Sequence, residues 1–146
     1  MELRLQLPRE HEVVRSLLVG AALPVADLDG GTVQFIVATE NDEPVGAIGL
    51  EPFGSAGLLR SLVVRSDLRG SGVGSRLVEA LESLARDNGF DQLVLLTQTA
   101  APFFARRGYR VIDRADAPAA ILASAEFRSL CPASATCMFK ILGKFR

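Results

Sequence analysis

Histidine and cysteine are scarce in this chain: one histidine, His11, and two cysteines, Cys131 and Cys137, in 146 residues. Two cysteines make no disulfide framework. Their spacing matches no common zinc pattern and no histidine stands beside them, so both read as buried, unreactive thiols and no metal is expected. His11 falls near the start of a helical pattern and reads as a surface residue without a catalytic role. Charge of one sign is also lacking. Sixteen basic residues face 17 acidic ones, a net charge of -1, which argues against a nucleic-acid partner with its usual basic face. No apolar run is long enough to span a bilayer, and Met1-Glu2-Leu3-Arg4 has no signal-peptide core. A soluble cytoplasmic protein without a membrane partner is expected. Internal repeats and low-complexity tracts are missing too. Composition is ordinary, 49% hydrophobic and 23% charged, so residues 1–146 are expected to form a single domain that buries about two-thirds of its unfolded surface.

What the chain does have is concentrated between residues 58 and 77. Leu58-Leu59-Arg60-Ser61-Leu62-Val63-Val64 reads as a buried strand. After four residues, Arg69-Gly70-Ser71-Gly72-Val73-Gly74-Ser75-Arg76-Leu77 forms a glycine-dense turn that opens a helix. Glycines at alternate positions let the backbone curl and keep side chains away from a ligand. The amides of the turn and of the first helical turn have no partner inside the helix, and the helix dipole adds positive potential behind them. Arg69, Gly70, Ser71, Gly72, Val73, Gly74 and Ser75 therefore outline a site for a pyrophosphate or similar anion. A Walker loop is ruled out because Gly74 is followed by Ser75-Arg76 instead of a Lys-Ser/Thr pair. A dinucleotide fingerprint can be forced onto Gly70, Gly72 and Ser75 with Asp91 downstream. It fails because Ser75 is not the small residue that helix–strand packing needs, and because the strand stops at Val64. A plain connecting turn remains the bland reading.

The pattern Arg69-x-x-Gly72-x-Gly74, preceded by a valine-rich strand and followed by an amphipathic helix, resembles the acyl-CoA-binding motif of the GNAT superfamily of N-acetyltransferases. A second segment, Ala101-Pro102-Phe103-Phe104-Ala105-Arg106-Arg107-Gly108-Tyr109, resembles the later GNAT signature of alanine, aromatic pair, basic segment and Gly-Phe. The resemblance covers about residues 33–113. It implies an α/β (α+β) GNAT fold: a central mixed, twisted sheet of six to seven strands with one splayed parallel pair and helices on both faces. Three further segments, 59–64, 101–109 and 125–135, look like the arsenic-resistance N-acetyltransferase group within that superfamily.

Taken in order, residues 3–7 alternate as a strand, 8–21 carry the helical spacing Val13, Val14, Leu17, Leu18, and 23–28 read as a short helical segment ended by Gly30-Gly31. A hairpin follows, with strands at 33–39 and 45–51 around the turn 41–44. The central strand 58–64 leads into a helix over 74–88 with Leu77, Leu81, Leu84 and Ala85 buried, closed by Gly89. The strand 93–97 should lie parallel to 58–64, joined by a right-handed crossover. A short helix closed by Gly108, a strand at 109–112, a helix from 119 to 128 or 129, and a last strand at 135–142 complete the expectation.

The resemblance implies acetyl transfer from acetyl-CoA to an amine, without a metal. Backbone groups of Leu62, Val63 and Val64 would hold the pantetheine arm, and an amide near Val63 or Val64 would face the thioester oxygen. The segment 23–28 would lie over the acceptor site. Thr97 stands where the family often has a cofactor-contacting asparagine. Phe104 stands where many members have a tyrosine that protonates the departing thiolate, so that role is empty. Glu51, at a strand end, reads either as the proton acceptor or as a solvated carboxylate. Arg60 and Ser61 interrupt an apolar strand. Since an unpaired buried guanidinium is costly, Arg60 reads as facing the substrate, where its planar fork suits a carboxylate. The expected acceptor is a small-molecule amine, including an arsenic-containing or amino-acid-like toxicant. The alternatives are acetylation of a protein amine and a non-catalytic acyl-CoA sensor. The family often pairs through its C-terminal strands, so a homodimer is allowed.

Overall fold

The computed structural model describes residues 1–143. Strand β1 (Glu2–Leu5) is followed by a 3-10 turn at Pro8–Glu10 and helix α1 (His11–Gly20). Strands β2 (Gln34–Glu40), β3 (Glu43–Phe53) and β4 (Ala56–Val64) come next. Helix α2 (Val73–Asp87) leads to β5 (Gln92–Thr97), the short α3 (Ala101–Ala105) and β6 (Arg110–Val111). Helix α4 (Ala119–Leu122), a π-helical segment at Glu126–Leu130 and β7 (Thr136–Ile141) end the chain. The seven strands form one sheet in the order β1-β2-β3-β4-β5-β7-β6. All neighbours are antiparallel except β4 and β5. The expected mixed sheet with one splayed parallel pair is therefore present, at the upper end of the expected strand number. Among the described residues, no helix is long and apolar enough to cross a membrane.

Side-chain alternation sends each strand's residues to opposite faces. Ile36, Ala38, Ile48 and Leu59 meet Leu77, Leu81 and Ala85 of α2 on one face. Phe35, Val37, Ala47 and Val63 meet Val14 and Leu18 of α1 on the other. Leu58, Val94 and Cys137 pack under Ile121 and Phe127 beside it. Asn41 and Asp42, both at positive φ (54° and 63°), link β2 to β3 as a two-residue hairpin loop of the kind that matches strand twist.

Two irregularities in β4 matter for function. Pairing with β5 runs only from Ala56↔Gln92 to Leu58↔Val94, while β5 stays paired with β7 along its whole length. Beyond Leu58 the two central strands diverge. In the same stretch, Ala47↔Val63 and Gly49↔Arg60 leave Ser61 and Leu62 opposite Ile48 alone. This is a bulge, and Ser61 sits in it at φ 60°. The extra residue resets the alternation, so Arg60 stays on the α4 side while Leu62 and Val64 turn toward the α2 side.

Three expectations change. The segment 23–28 is irregular at 23–25 and a turn at 26–27, with a 3-10 turn only at Leu28–Gly30. The strand at 109–112 shortens to two residues. The helix expected from 119 to 128 or 129 breaks after Leu122 and resumes as the π-helical turn. The break falls at buried Ser124, whose hydroxyl accepts from the Phe127 amide at 3.3 Å, a local bond that competes with regular helix.

Candidate active site

Where β4 and β5 part, two cavities open side by side. The larger, about 630 Å³, lies over the glycine loop and is lined by Val64, Arg69, Gly70, Gly72, Gly74 and Ser75, with Phe103 and Arg107 opposite. The smaller, about 330 Å³, lies between the strands and the segment 21–24 that follows α1, and is lined by Arg60, Ser61, Thr97, Phe104, Glu126 and Cys131, among others. Leu62, Thr99 and Ala100 line both. The two spaces therefore meet at the β4 bulge.

The loop has the geometry of an anion cradle. Gly72 caps α2 at φ 90° and Gly70 precedes it at φ 83°, conformations that side chains rarely tolerate. The Arg76 amide donates to the Gly72 carbonyl at 3.2 Å. The amides of Val73, Gly74 and Ser75, at the start of a 15-residue helix, precede that first intrahelical donor and have no i−4 carbonyl within the helix. Arg69 Nε donates to the Val64 carbonyl at 3.3 Å, tying the loop to β4. The Ser71 hydroxyl donates to the Leu68 carbonyl. The Val73 side chain is buried against α2's core face, so only its backbone is available to a ligand. Sequence reasoning passed over Arg107. Its guanidinium stacks 3.6 Å from the centre of the Phe103 ring and donates to the Ser75 hydroxyl, adding a second fixed positive charge across from Arg69.

The smaller cavity is organised by Arg60. Its side chain has no solvent exposure and is held by three carboxylates. Nη1 and Nη2 donate to the two oxygens of Asp27 at 2.6 and 2.9 Å, a bidentate pair. Nη1 also donates to Glu51 at 3.1 Å. Nε lies 2.9 Å from Glu126 Oε2 and donates to the Ser61 hydroxyl at 3.2 Å. Burial works against the charged form of Arg60, but the Asp27 hydrogen bond and the charges of Glu126 and Asp27 outweigh it and hold the guanidinium protonated. Asp27 and Glu126 respond in opposite directions. The hydrogen bond from Arg60 holds the Asp27 carboxyl below its usual range, whereas burial pushes Glu126 up despite Arg60. Exposure explains the contrast: 22% of the Asp27 side chain is open to solvent, against 5% of Glu126. The Cys131 thiol hydrogen-bonds the Glu126 carboxylate, and its pKa is pushed up to about 12 by burial and by that carboxylate's charge.

Several expected roles therefore sit differently. Arg60 does not present an open fork, because Asp27, Glu51 and Glu126 already hold it. Glu51 pairs with Arg60 and accepts from the Thr32 hydroxyl at 3.1 Å; it does not line the smaller cavity, whose wall carries Glu126. Thr97 and Phe104 line the smaller cavity and not the loop cavity. Thr97 Oγ1 accepts from the Ala100 amide at 3.0 Å. The Val63 side chain packs under α1, leaving its backbone as the part available to the cleft. Tyr109 is 2% exposed and donates to Glu82 Oε2 at 2.9 Å. Cys137 is buried on β7. Glu126 falls inside the segment 125–135 quoted for the narrower resemblance, but nothing in the sequence singled it out, since only the broken helix brings it to Arg60.

The chain matches the acetyltransferase (GNAT) domain family over residues 31–111. It is 33% identical over 106 residues to YjcF, an uncharacterised N-acetyltransferase of Bacillus subtilis, covering 72% of this chain and 75% of that one. In fold it is similar to the N-acetylglutamate synthase of Neisseria gonorrhoeae, solved with coenzyme A and L-arginine. That likeness has a TM-score of 0.83 at 18% identity, over 98% of this chain and 33% of the synthase. It is also similar to an aminoglycoside 6'-N-acetyltransferase solved with coenzyme A, with a TM-score of 0.74 at 17% identity over 100% and 99% of the two chains.

Proposed function

The chain belongs to the GNAT family of acetyltransferases, and from that premise we propose that it transfers the acetyl group of acetyl-CoA to the amine of a small molecule. The observation that carries this reading is the meeting of two cavities at Leu62, Thr99 and Ala100. One is built for an anion, and the other holds room for a small acceptor. Coenzyme A in the neisserial synthase and the aminoglycoside enzyme supports the same cofactor here.

In this reading the pyrophosphate rests on the amides of residues 70–75, with Arg69 and Arg107 beside it. The pantetheine arm runs along the edge of β4 that β5 leaves unpaired, against the backbone of Leu62, Val63 and Val64. An amide near Val63 or Val64 faces the thioester oxygen as negative charge develops there, and losing one such donor costs on the order of 3–4 kcal/mol. Phe104 supplies no proton, and a thiol with a pKa of about 8.5 leaves as its thiolate. The modest volume of the acceptor cavity favours a small amine over a protein side chain. The amino-acid-like arsenical acceptor implied by the narrower resemblance becomes one arm of a screen.

The test is calorimetric titration with acetyl-CoA, followed by thiol release in the presence of amines. Wild type is expected to bind, and a Gly72→Asp/Gly74→Asp double variant, whose carboxylates fill and repel the phosphate site, is expected not to. Folded wild type that does not bind acetyl-CoA would overturn the assignment.

A further inference from the structure

The smaller cavity carries a charge imbalance that the acetyl-CoA reading leaves unused. One guanidinium faces three carboxylates, so full ionisation leaves two negative charges in excess around a fully buried Arg60. Such an excess is costly in a low-dielectric site unless a proton or a cation offsets it. Asp27 and Glu51 do not line the cavity, and Asp27 is the more exposed of the two. Glu126 is the carboxylate on the cavity wall, with its side chain only 5% exposed. The broken helix brings it there: a π turn widens the backbone at Glu126–Leu130, a distortion that recurs at functional sites.

We propose that Glu126 receives the ammonium of the acceptor and takes its proton, so that the enzyme selects small cationic amines lacking a carboxylate beside the amine. The inference rests on the small-amine reading above and names the acceptor's charge class within it. The proton bookkeeping closes. The ammonium gives one proton to the Glu126 carboxylate and becomes a neutral amine. Its nitrogen lone pair attacks the thioester carbonyl, the C–N bond forms and the C–S bond breaks, and the second nitrogen proton goes to the departing thiolate. Glu126 returns its proton to solvent after product leaves.

The surroundings suit this duty. Burial raises the affinity of Glu126 for a proton, which brings it nearer the working range of a base. The charged and titratable groups facing it are Arg60 from β4, Cys131 at the end of the π turn, Asp27 from the loop before β2, and Glu51 from β3. Arg114 approaches from behind, donating to the Phe127 and Pro132 carbonyls. Of these, Arg60 is a positioning residue: it fixes the carboxylate oxygen at 2.9 Å. Because Arg60 is already held, a substrate carboxylate entering the cavity would meet excess negative charge instead of an open fork.

The test pairs each amine with its carboxylated counterpart: tyramine with tyrosine, histamine with histidine, cadaverine with lysine. Thiol release from saturating acetyl-CoA is followed across pH for wild type, Glu126→Gln and Glu126→Asp. Wild type is expected to prefer the carboxylate-free member of each pair by at least about tenfold in kcat/KM, a modest part of what one misplaced charge costs. Glu126→Gln is expected to lose about 100-fold or more in kcat/KM, as for removal of a general base. Its acid limb in the pH profile should vanish while acetyl-CoA affinity by calorimetry is unchanged, and Glu126→Asp should recover part of the rate with the limb. A wild type that prefers the carboxylated members overturns the inference even if neither variant folds. So does a folded Glu126→Gln with the wild-type rate and profile. Acetyl-CoA binding with no thiol release for any pair removes the small-amine reading and this inference together.

Discussion

At the scale of single residues, the chain's chemistry depends on which charges are forced together. Arg60 was legible as an anomaly, a guanidinium inside an apolar strand, and because an unpaired buried one is costly the fold supplies it with partners. What the one-dimensional pattern could not give was the source of its partners, which lie 33 residues upstream, 9 upstream and 66 downstream at Asp27, Glu51 and Glu126. The guanidinium that looked like a substrate clamp is the hub of an internal network. Arg60→Ala is therefore expected to destabilise the fold by about 3–5 kcal/mol, because it leaves buried carboxylates without their counter-charge. Denaturant midpoints measured on wild type and variant check this, and a loss below about 1 kcal/mol would mean that the cluster is far wetter than its burial indicates.

At the scale of elements, the glycine loop and α2 were the most legible part of the chain. Their signal is local: alternate glycines followed by the stripe Leu77, Leu81, Leu84 and Ala85, of which the structure buries Leu77, Leu81 and Ala85 completely and Leu84 only in part. Helix α2 appears at Val73–Asp87, within one residue of the expected 74–88 at each end. The C-terminal helix was legible only in its first turn, because the local bond at Ser124 competes with it and the pairing of Glu126 with Arg60 is a tertiary contact that overrides propensity. Gly72 gives the element-scale prediction. At φ 90° an alanine is strained, and Gly72→Ala is expected to cost about 1–2 kcal/mol and to weaken acetyl-CoA binding by reshaping the cradle. Nothing lies within 4 Å of the added Cβ, so the loss must come from the backbone. Thermal unfolding and calorimetry on the same variant separate the two effects.

At the scale of the whole molecule, stability should follow pH through groups that tie distant segments. Glu10 joins the start of α1 to β1 through the Arg4 guanidinium at 2.8 and 2.8 Å and accepts the Leu7 amide at 2.9 Å. The hydrogen bonds from Arg4, together with that amide, lower its pKa from 4.5 to about 2. Because the folded value is depressed, its contribution is present above the unfolded pKa and lost as pH falls from about 4.5 toward 2. Asp27, also depressed, acts in the same direction. Glu126, raised by burial, acts in the opposite one, since its contribution is lost as pH rises through its folded value. Wild type should thus lose stability steeply on acidification, and Glu10→Gln should start lower at neutral pH and show a shallower acid limb. Parallel melting curves from pH 7 to pH 2 check this, and identical slopes would sink it.

By itself the sequence determined the parallel partnership of β4 and β5, through the crossover rule for a strand–helix–strand unit, and it determined the order and type of most elements and the glycine loop, because these last rest on neighbours within about a dozen residues. Backbone periodicity and glycine geometry act at that range. The tertiary structure alone decided where β4 and β5 separate, how the bulge at Ser61 and Leu62 turns the strand's faces, and which carboxylates gather on Arg60. Those outcomes depend on packing between segments remote in sequence, and on the need of a buried charge to find whatever partners the fold brings within reach.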